Sequence, residues 1–242
     1  MVGRRDPHVD SAVKQALSVS IATGLYGVSF GALATVAGLD LAQTAALSLL
    51  LFSGGSQFAF IGVVGSGGSP VAAVTTAALL GVRNGLYGVQ VAPLISVRRA
   101  LRPLAAQLTI DESTAVATAH REPAAVRAGF WWTGIGVFVL WNVFTLVGAL
   151  VGNALGDPRR YGLDAAAAAA FLALVWPRLA GRLAQVVAGA AVLVALALTP
   201  VTPPGVPVLA AAGVAVVIGL TRTAAPTAPT TPTTPTTHGD AT

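Results

Sequence analysis

Four short stretches of this sequence carry residue types that could do chemistry inside an otherwise oily chain. The first is Phe52-Ser53-Gly54-Gly55-Ser56-Gln57-Phe58. Paired glycines open a helix, and the free N–H groups where the helix resumes form an anion site that the helix dipole reinforces. Ser53, Ser56 and Gln57 add hydrogen-bonding capacity, and a buried amide such as Gln57 needs partners. A carboxylate would suit this stretch; close helix–helix contact by small residues is the plainer use of the same residues. The second is Arg83-Asn84-Gly85-Leu86-Tyr87-Gly88, with Arg83 about 14 residues into an apolar run. A guanidinium that deep is costly and is therefore a functional candidate, pairing with a substrate carboxylate or an acidic residue. Snorkelling to an interface is the structural alternative. The third is Asp111-Glu112-Ser113-Thr114. Adjacent acids do not share one helix face, so they suggest a proton-coupling carboxylate or a gate salt bridge rather than an acid/base dyad. An acidic first helical turn explains them equally well. The fourth is Gly162-Leu163-Asp164, where Asp164 fits the N-cap of a helix over 165–175 and joins Asp111 and Glu112 as a coupling or gating candidate.

Other chemistries find little support. The chain has no cysteine, which removes disulfides, thiolate catalysis and thiolate metal sites. His8, His120 and His238 lie far apart and outside the apolar runs, and no HExxH, GxSxG or phosphate-binding loop is present. The sequence therefore predicts neither an enzyme nor a cofactor, and any transport must be driven by a gradient. Trp131, Trp132 and Trp141 read as packing or interfacial contacts.

The elements that must position these residues are apolar helices. Of 242 residues, 55% are hydrophobic and 10% charged, against about a quarter charged in soluble domains. The mean hydropathy is +0.76. The net charge of +5 comes from arginines between apolar runs, where they act as topology signals and anionic-lipid contacts rather than as a nucleic-acid surface. Seven apolar segments follow a short N-terminal stretch, 1–15: about 16–38, 41–64, 70–95, 128–155, 163–177, 183–198 and 206–220. About 20 helical residues cross the ~30 Å hydrocarbon layer, so the fifth, at 15 residues, is marginal. The first run is too long for the core of a signal peptide and reads as a retained helix. A polar loop is predicted over 96–127, and the Thr/Pro-rich tail, 221–242, is predicted to be disordered. The fold expected is an all-α membrane protein of six or seven hydrophobic helices, some discontinuous or re-entrant, with a cytoplasmic N-terminus.

Charge adds one constraint. Arg4, Arg5 and Lys14 precede the first segment, and Arg98, Arg99, Arg102, Arg121 and Arg127 fill the central stretch. Both groups belong on the cytoplasmic side, yet three apolar segments separate them. The conflict disappears if one of these segments enters and leaves on the same face. The second and third are the candidates, the second broken at Ser53–Ser56 and the third at Arg83–Gly85. One internal echo accompanies them: Gly24-Leu25-Tyr26-Gly27-Val28 recurs as Gly85-Leu86-Tyr87-Gly88-Val89.

These motifs, in this order over about Lys14 to Leu220, resemble the AzlC family of branched-chain amino acid permeases, the large subunit of two-component exporters. Ser53 to Ala59 is similar to the family's second-segment signature. Arg83 to Gly88 matches its RxxxYG element, with Asn84-Gly85 a modest departure. Asp111-Glu112-Ser113 resembles its DE(S/T) element, and Gly162-Leu163-Asp164 with Phe171 and Pro177 its fifth-segment pattern. The resemblance implies efflux of leucine, isoleucine, valine and methionine across the bacterial inner membrane, with a small AzlD-type membrane subunit as partner. On that reading Ser53, Gly54, Gly55, Ser56 and Gln57 hold the polar end of the substrate, and Arg83, Asn84 and Tyr87 neutralise its carboxylate or latch a gate. Asp111 and Glu112 couple transport to protons. A channel or a structural subunit of a membrane complex is the alternative.

Overall fold

The structure, a computed structural model, describes residues 6–155, 172, 175–203 and 205–223. Among these there are helices and turns and no strand. Two helices, α1 (Pro7–Val36) and α7 (Pro123–Leu155), are long and apolar enough to cross a membrane. α1 begins well before the apolar run that announced it, because Asp6 caps it through the His8 N–H and Pro7 fits the first turn.

α1 and α7 lie against each other over most of their length. A Cβ on Gly24 would sit 2.6 Å from Leu140 Cβ, one on Gly31 would run into the Thr145 carbonyl, and one on Gly148 into that of Val28. The paired numbers rise together, so the two helices are parallel. The chain between them must therefore return to the end where it began.

It does so with one long helix and two hairpins. α2 (Leu41–Leu50) starts with a reciprocal cap between Asp40 and Gln43 and stops at Leu51, whose backbone leaves the helical region. α3 (Gly54–Gly65) then doubles back, and a Cβ on Gly65 would touch that of Ala37 at the end of α1. The second apolar segment is thus a hairpin whose ends lie together, with Phe52 and Ser53 buried at its tip. α4 (Pro70–Ile95) starts beside the same end, where Pro70, Val64, Leu39 and Gln43 line one cavity, and runs back. The break expected at Arg83-Asn84-Gly85 is not there: α4 is continuous through all three, since neither Arg nor Asn interrupts a helix and one glycine costs only about 1 kcal/mol.

The stretch expected to be a polar loop, 96–127, holds a second hairpin instead. After a 3₁₀ turn at Arg99–Leu101 come α5 (Arg102–Gln107) and α6 (Asp111–Thr118), with Leu108, Thr109 and Ile110 buried between them. The Ser113 hydroxyl closes this tip, accepting from the Ile110 N–H at 3.1 Å and donating to the Leu108 carbonyl at 2.7 Å. α6 runs antiparallel to α7, with Leu108 against Gly134 and Val116 against Gly129. It ends where His120 meets Gln15 of α1 at 3.1 Å. The two hairpins therefore enter from opposite ends, and their tips meet in the middle, where Gln107 reaches the Leu49 carbonyl. Each copy of the five-residue echo sits in a long helix, α1 or α4, that leads into a hairpin.

α8 (Arg182–Leu198) and α9 (Val206–Thr223) pack mainly on each other and touch the rest near Val63 and Ala72. No residue of α8 is buried, and Val186, Leu193 and Leu196 are all exposed. α4 likewise presents Val71, Val74, Val82, Leu86 and Val89 outward. Apolar faces of this extent suit lipid or another protein, not water. The fifth segment's Asp164, with Arg159 and Arg160, lies outside the described residues, as does most of the tail.

The parallel α1–α7 contact predicts a sharp contrast. Gly148→Leu should lower stability by about 1–3 kcal/mol or more through overpacking. Gly189→Ala in the middle of α8, where a Cβ meets nothing within 4 Å, should not lower it and should raise it by up to about 1 kcal/mol. Thermal denaturation in lipid nanodiscs checks both.

Candidate functional site

Where the tips meet there is a cavity of about 180 Å³, lined by Thr23, Tyr26, Gly54, Gly55, Phe58, Leu80, Arg83, Asp111, Glu112, Trp141 and Val175. Its size is comparable with the ~150 Å³ engineered cavity that holds a benzene molecule. Its wall has two halves. Phe58, Leu80, Trp141 and Val175 are apolar. The rest of the lining includes one cation, two carboxylates and the start of a helix.

Arg83 is carried to the centre by α4. Its Nη1 lies 3.6 Å from Asp111 Oδ2 at the first turn of α6. Nε is buried without a partner, and Nη2 rests against Gly55, where a Cβ would come within 2.9 Å. Gly54 is small for a similar reason, because a Cβ there would stand 3.2 Å from Trp141 Cη2. The glycine pair therefore does more than end a helix. It lets the start of α3 approach both the guanidinium and the indole. Ser53 caps α3 without a side-chain hydrogen bond, so the first N–H groups of α3 remain available beside Arg83.

Glu112 lies next to Asp111 on the short helix α6. It lines the cavity with Asp111, so two carboxyl groups stand near the Arg83 guanidinium.

Gln57 is placed differently from its sequence expectation. It is fully buried behind the cavity, and its amide is already used. Nε2 donates to the carbonyls of Leu51 at 2.8 Å, Ser48 at 3.3 Å and Leu47 at 3.5 Å, while Oε1 accepts from Trp141 Nε1 at 2.8 Å. Gln57 ties the hairpin tip to α7 and presents nothing to a ligand. Ser53 and Ser56 are buried beside the cavity with hydroxyls that have no partner. Asn84 and Tyr87 are half-buried on α4 and do not line the cavity, and the buried Asn84 Oδ1 lacks a partner.

Tyr26, from the first copy of the echo, occupies the wall in place of Tyr87. Trp141 is both wall and anchor, and its ring lies against Phe30 and Phe58 with centroids 6.1 and 6.3 Å away. Thr23, Phe58 and Leu80 carried no signal in the sequence beyond the hydrophobic pattern.

A family model described as AzlC protein matches residues 18–155, more than half of the chain, and the chain belongs to that family. The matched region runs from α1 through α7. It includes both hairpins and every residue lining the cavity except Val175. Together with the apolar helices, this makes the chain a membrane protein. No curated protein and no solved structure matches it.

Stability separates scaffold from site. Gln57→Leu leaves the Trp141 N–H and the carbonyls at the end of α2 without partners and should cost roughly 2–4 kcal/mol. Ser53→Ala and Ser56→Ala remove hydroxyls that have no partner and should change stability by less than about 0.5 kcal/mol. Melting temperatures of the three variants in the same lipid decide this.

Proposed function

We propose that this chain is the translocating subunit of a secondary exporter of branched-chain amino acids in the bacterial inner membrane, working with a small AzlD-type membrane subunit. One observation carries the reading. Arg83 and the bare start of α3 stand beside Asp111 and Glu112, across from an apolar wall, inside a cavity between two helix hairpins. A zwitterion with an aliphatic side chain needs these three kinds of partner together. Its carboxylate is met by the guanidinium and the α3 N–H groups, its ammonium by the acid pair, and its side chain by Phe58, Leu80, Trp141 and Val175. Family membership supports the same class of substrate.

The hairpins supply the topology. Read in a bilayer, α2–α3 and α5–α6 are re-entrant from opposite faces, while α1, α4 and α7 cross. That is an even number of crossings between Lys14 and Arg98. Lys14, Arg98, Arg99, Arg102, Arg121 and Arg127 then share one side, the cytoplasmic one. Irregular backbone at this depth is tolerated because it is buried in protein or lines the cavity. The exposed apolar faces of α4 and α8 are available to lipid and to the partner subunit.

Protons drive the cycle through Glu112. A charged Glu112 holds the substrate ammonium, and a proton arriving from the acidic side displaces it.

Cells loaded with isoleucine-containing dipeptides, with and without the partner, test the function. Arg83→Ala should abolish isoleucine release while the protein still inserts in the membrane. Full release from that variant would remove Arg83 from the mechanism, and flux that never works against a gradient would identify a channel instead. A separate outcome concerns protons. Flux by the native protein should fall when an ionophore collapses the proton gradient, and Glu112→Gln, fixed in the neutral form, should lose that dependence.

A further inference from the structure

Ending α2 at Leu50 leaves the carbonyls of its last turn, beyond that of Leu47, without intrahelical N–H partners. Gln57, in the same hairpin, takes that of Ser48 and adds a bond to those of Leu47 and Leu51, which already accept from the Leu51 and Ser53 N–H groups. The Leu49 carbonyl is met from the opposite hairpin: Gln107 Nε2 donates to it at 2.9 Å, across 58 positions of sequence. Gln107 is the last residue of α5, and Asp111, just past the same tip, pairs with Arg83. The two tips are thus tied on the cavity side through Arg83 of α4 and, away from the cavity wall, directly through Gln107.

We propose that Gln107 is a positioning residue that latches the two hairpins together, so that parting α2–α3 from α5–α6 requires breaking its bond to the Leu49 carbonyl. The purpose of such a latch rests on the transport reading above; its existence rests on contact between the two tips. A carbonyl at the end of a broken helix is costly to strand in surroundings that offer no water. The bond therefore favours the closed arrangement, and it yields only when water or a ligand reaches the tips. Gln107 does not line the cavity and does not touch a substrate there. Its effect passes through the position of the tip that carries Asp111 and Glu112.

The absence of cysteine makes the latch measurable. Ser53→Cys and Thr109→Cys each place a single thiol at one tip, where the native residues are 6% exposed. Labelling by a membrane-impermeant maleimide is followed in whole cells and in inverted vesicles. Gln107→Leu keeps the bulk and removes the donor, and it should speed labelling at both tips roughly tenfold, the equivalent of one hydrogen bond. Gln107→His, whose ring N–H has a similar reach, should restore slow labelling. Should the leucine variant not insert, Gln107→Met removes the donor with the length of the side chain kept. Unchanged labelling, or faster labelling at one tip alone, would overturn the latch. Isoleucine release is measured on the same variants. Fast labelling with no release from any form, native included, keeps the latch and sinks the transport reading; normal release with unchanged labelling does the reverse.

Discussion

A helix that stops inside a protein leaves backbone groups that must find partners, and the centre of this molecule is organised by how it meets that demand. At the end of α2 the stranded oxygens include the Ser48 and Leu49 carbonyls, and they are taken by the side-chain amides of Gln57 and Gln107. At the start of α3 the stranded groups are N–H donors, and no side chain caps them. The asymmetry is what creates a site. The carbonyl end is sealed by the scaffold, while the donor end stays open next to Arg83. At the other tip the start of α6 carries Asp111 and Glu112, so one broken helix presents positive character and the other negative charge to the same cavity.

The frame that holds the tips in register is the parallel pair α1 and α7. Its glycines bring the two backbones so close that neither helix can roll without collision. Phe30 from α1, Phe58 from α3 and Trp141 from α7 pack ring against ring at that seam. Trp141 links the frame to the site, because its N–H holds Gln57 and its ring edge bounds Gly54. Packing and recognition therefore share one side chain.

Much of this was legible in the sequence, and the parts that were not have a common cause. The sequence placed a break at Ser53–Ser56, beside the Leu51–Ser53 turn where the chain doubles back, and the charge pattern pointed to a returning segment there or at Arg83–Gly85. A deep Arg83 and the acid pair were visible as residues out of place in oil. What pattern could not supply was rotation and short-range tertiary detail. Tyr26 and Tyr87 sit in identical five-residue contexts, and only the packing of α1 on α7 decides that Tyr26 reaches the cavity. The arms of the second hairpin are six and eight residues long, too short for hydrophobic periodicity to register. Its buried tip therefore read as part of a loop. Gln57 was correctly flagged as needing partners, but the partners were its own backbone and Trp141 rather than a ligand.

The division of the cavity into a polar and an apolar half also fixes where selectivity must arise. Phe58, Leu80, Trp141 and Val175 offer contact without direction, and an apolar pocket separates neighbours differing by one methylene by only ~1–3 kcal/mol. Several aliphatic side chains fit such a wall with similar ease. The polar half is stricter. Arg83, the α3 N–H groups, Asp111 and Glu112 share the cavity, with Arg83 and Asp111 paired at 3.6 Å. A ligand that parts this pair must replace both charges, and one that carries a single charge leaves a buried group unpaired, which costs more than a missing methylene. On the function proposed above, such a site would read the backbone of an amino acid closely and its side chain loosely, and a proton taken up by Glu112 would remove one of the two charges the ligand depends on, so that recognition and release act on the same group.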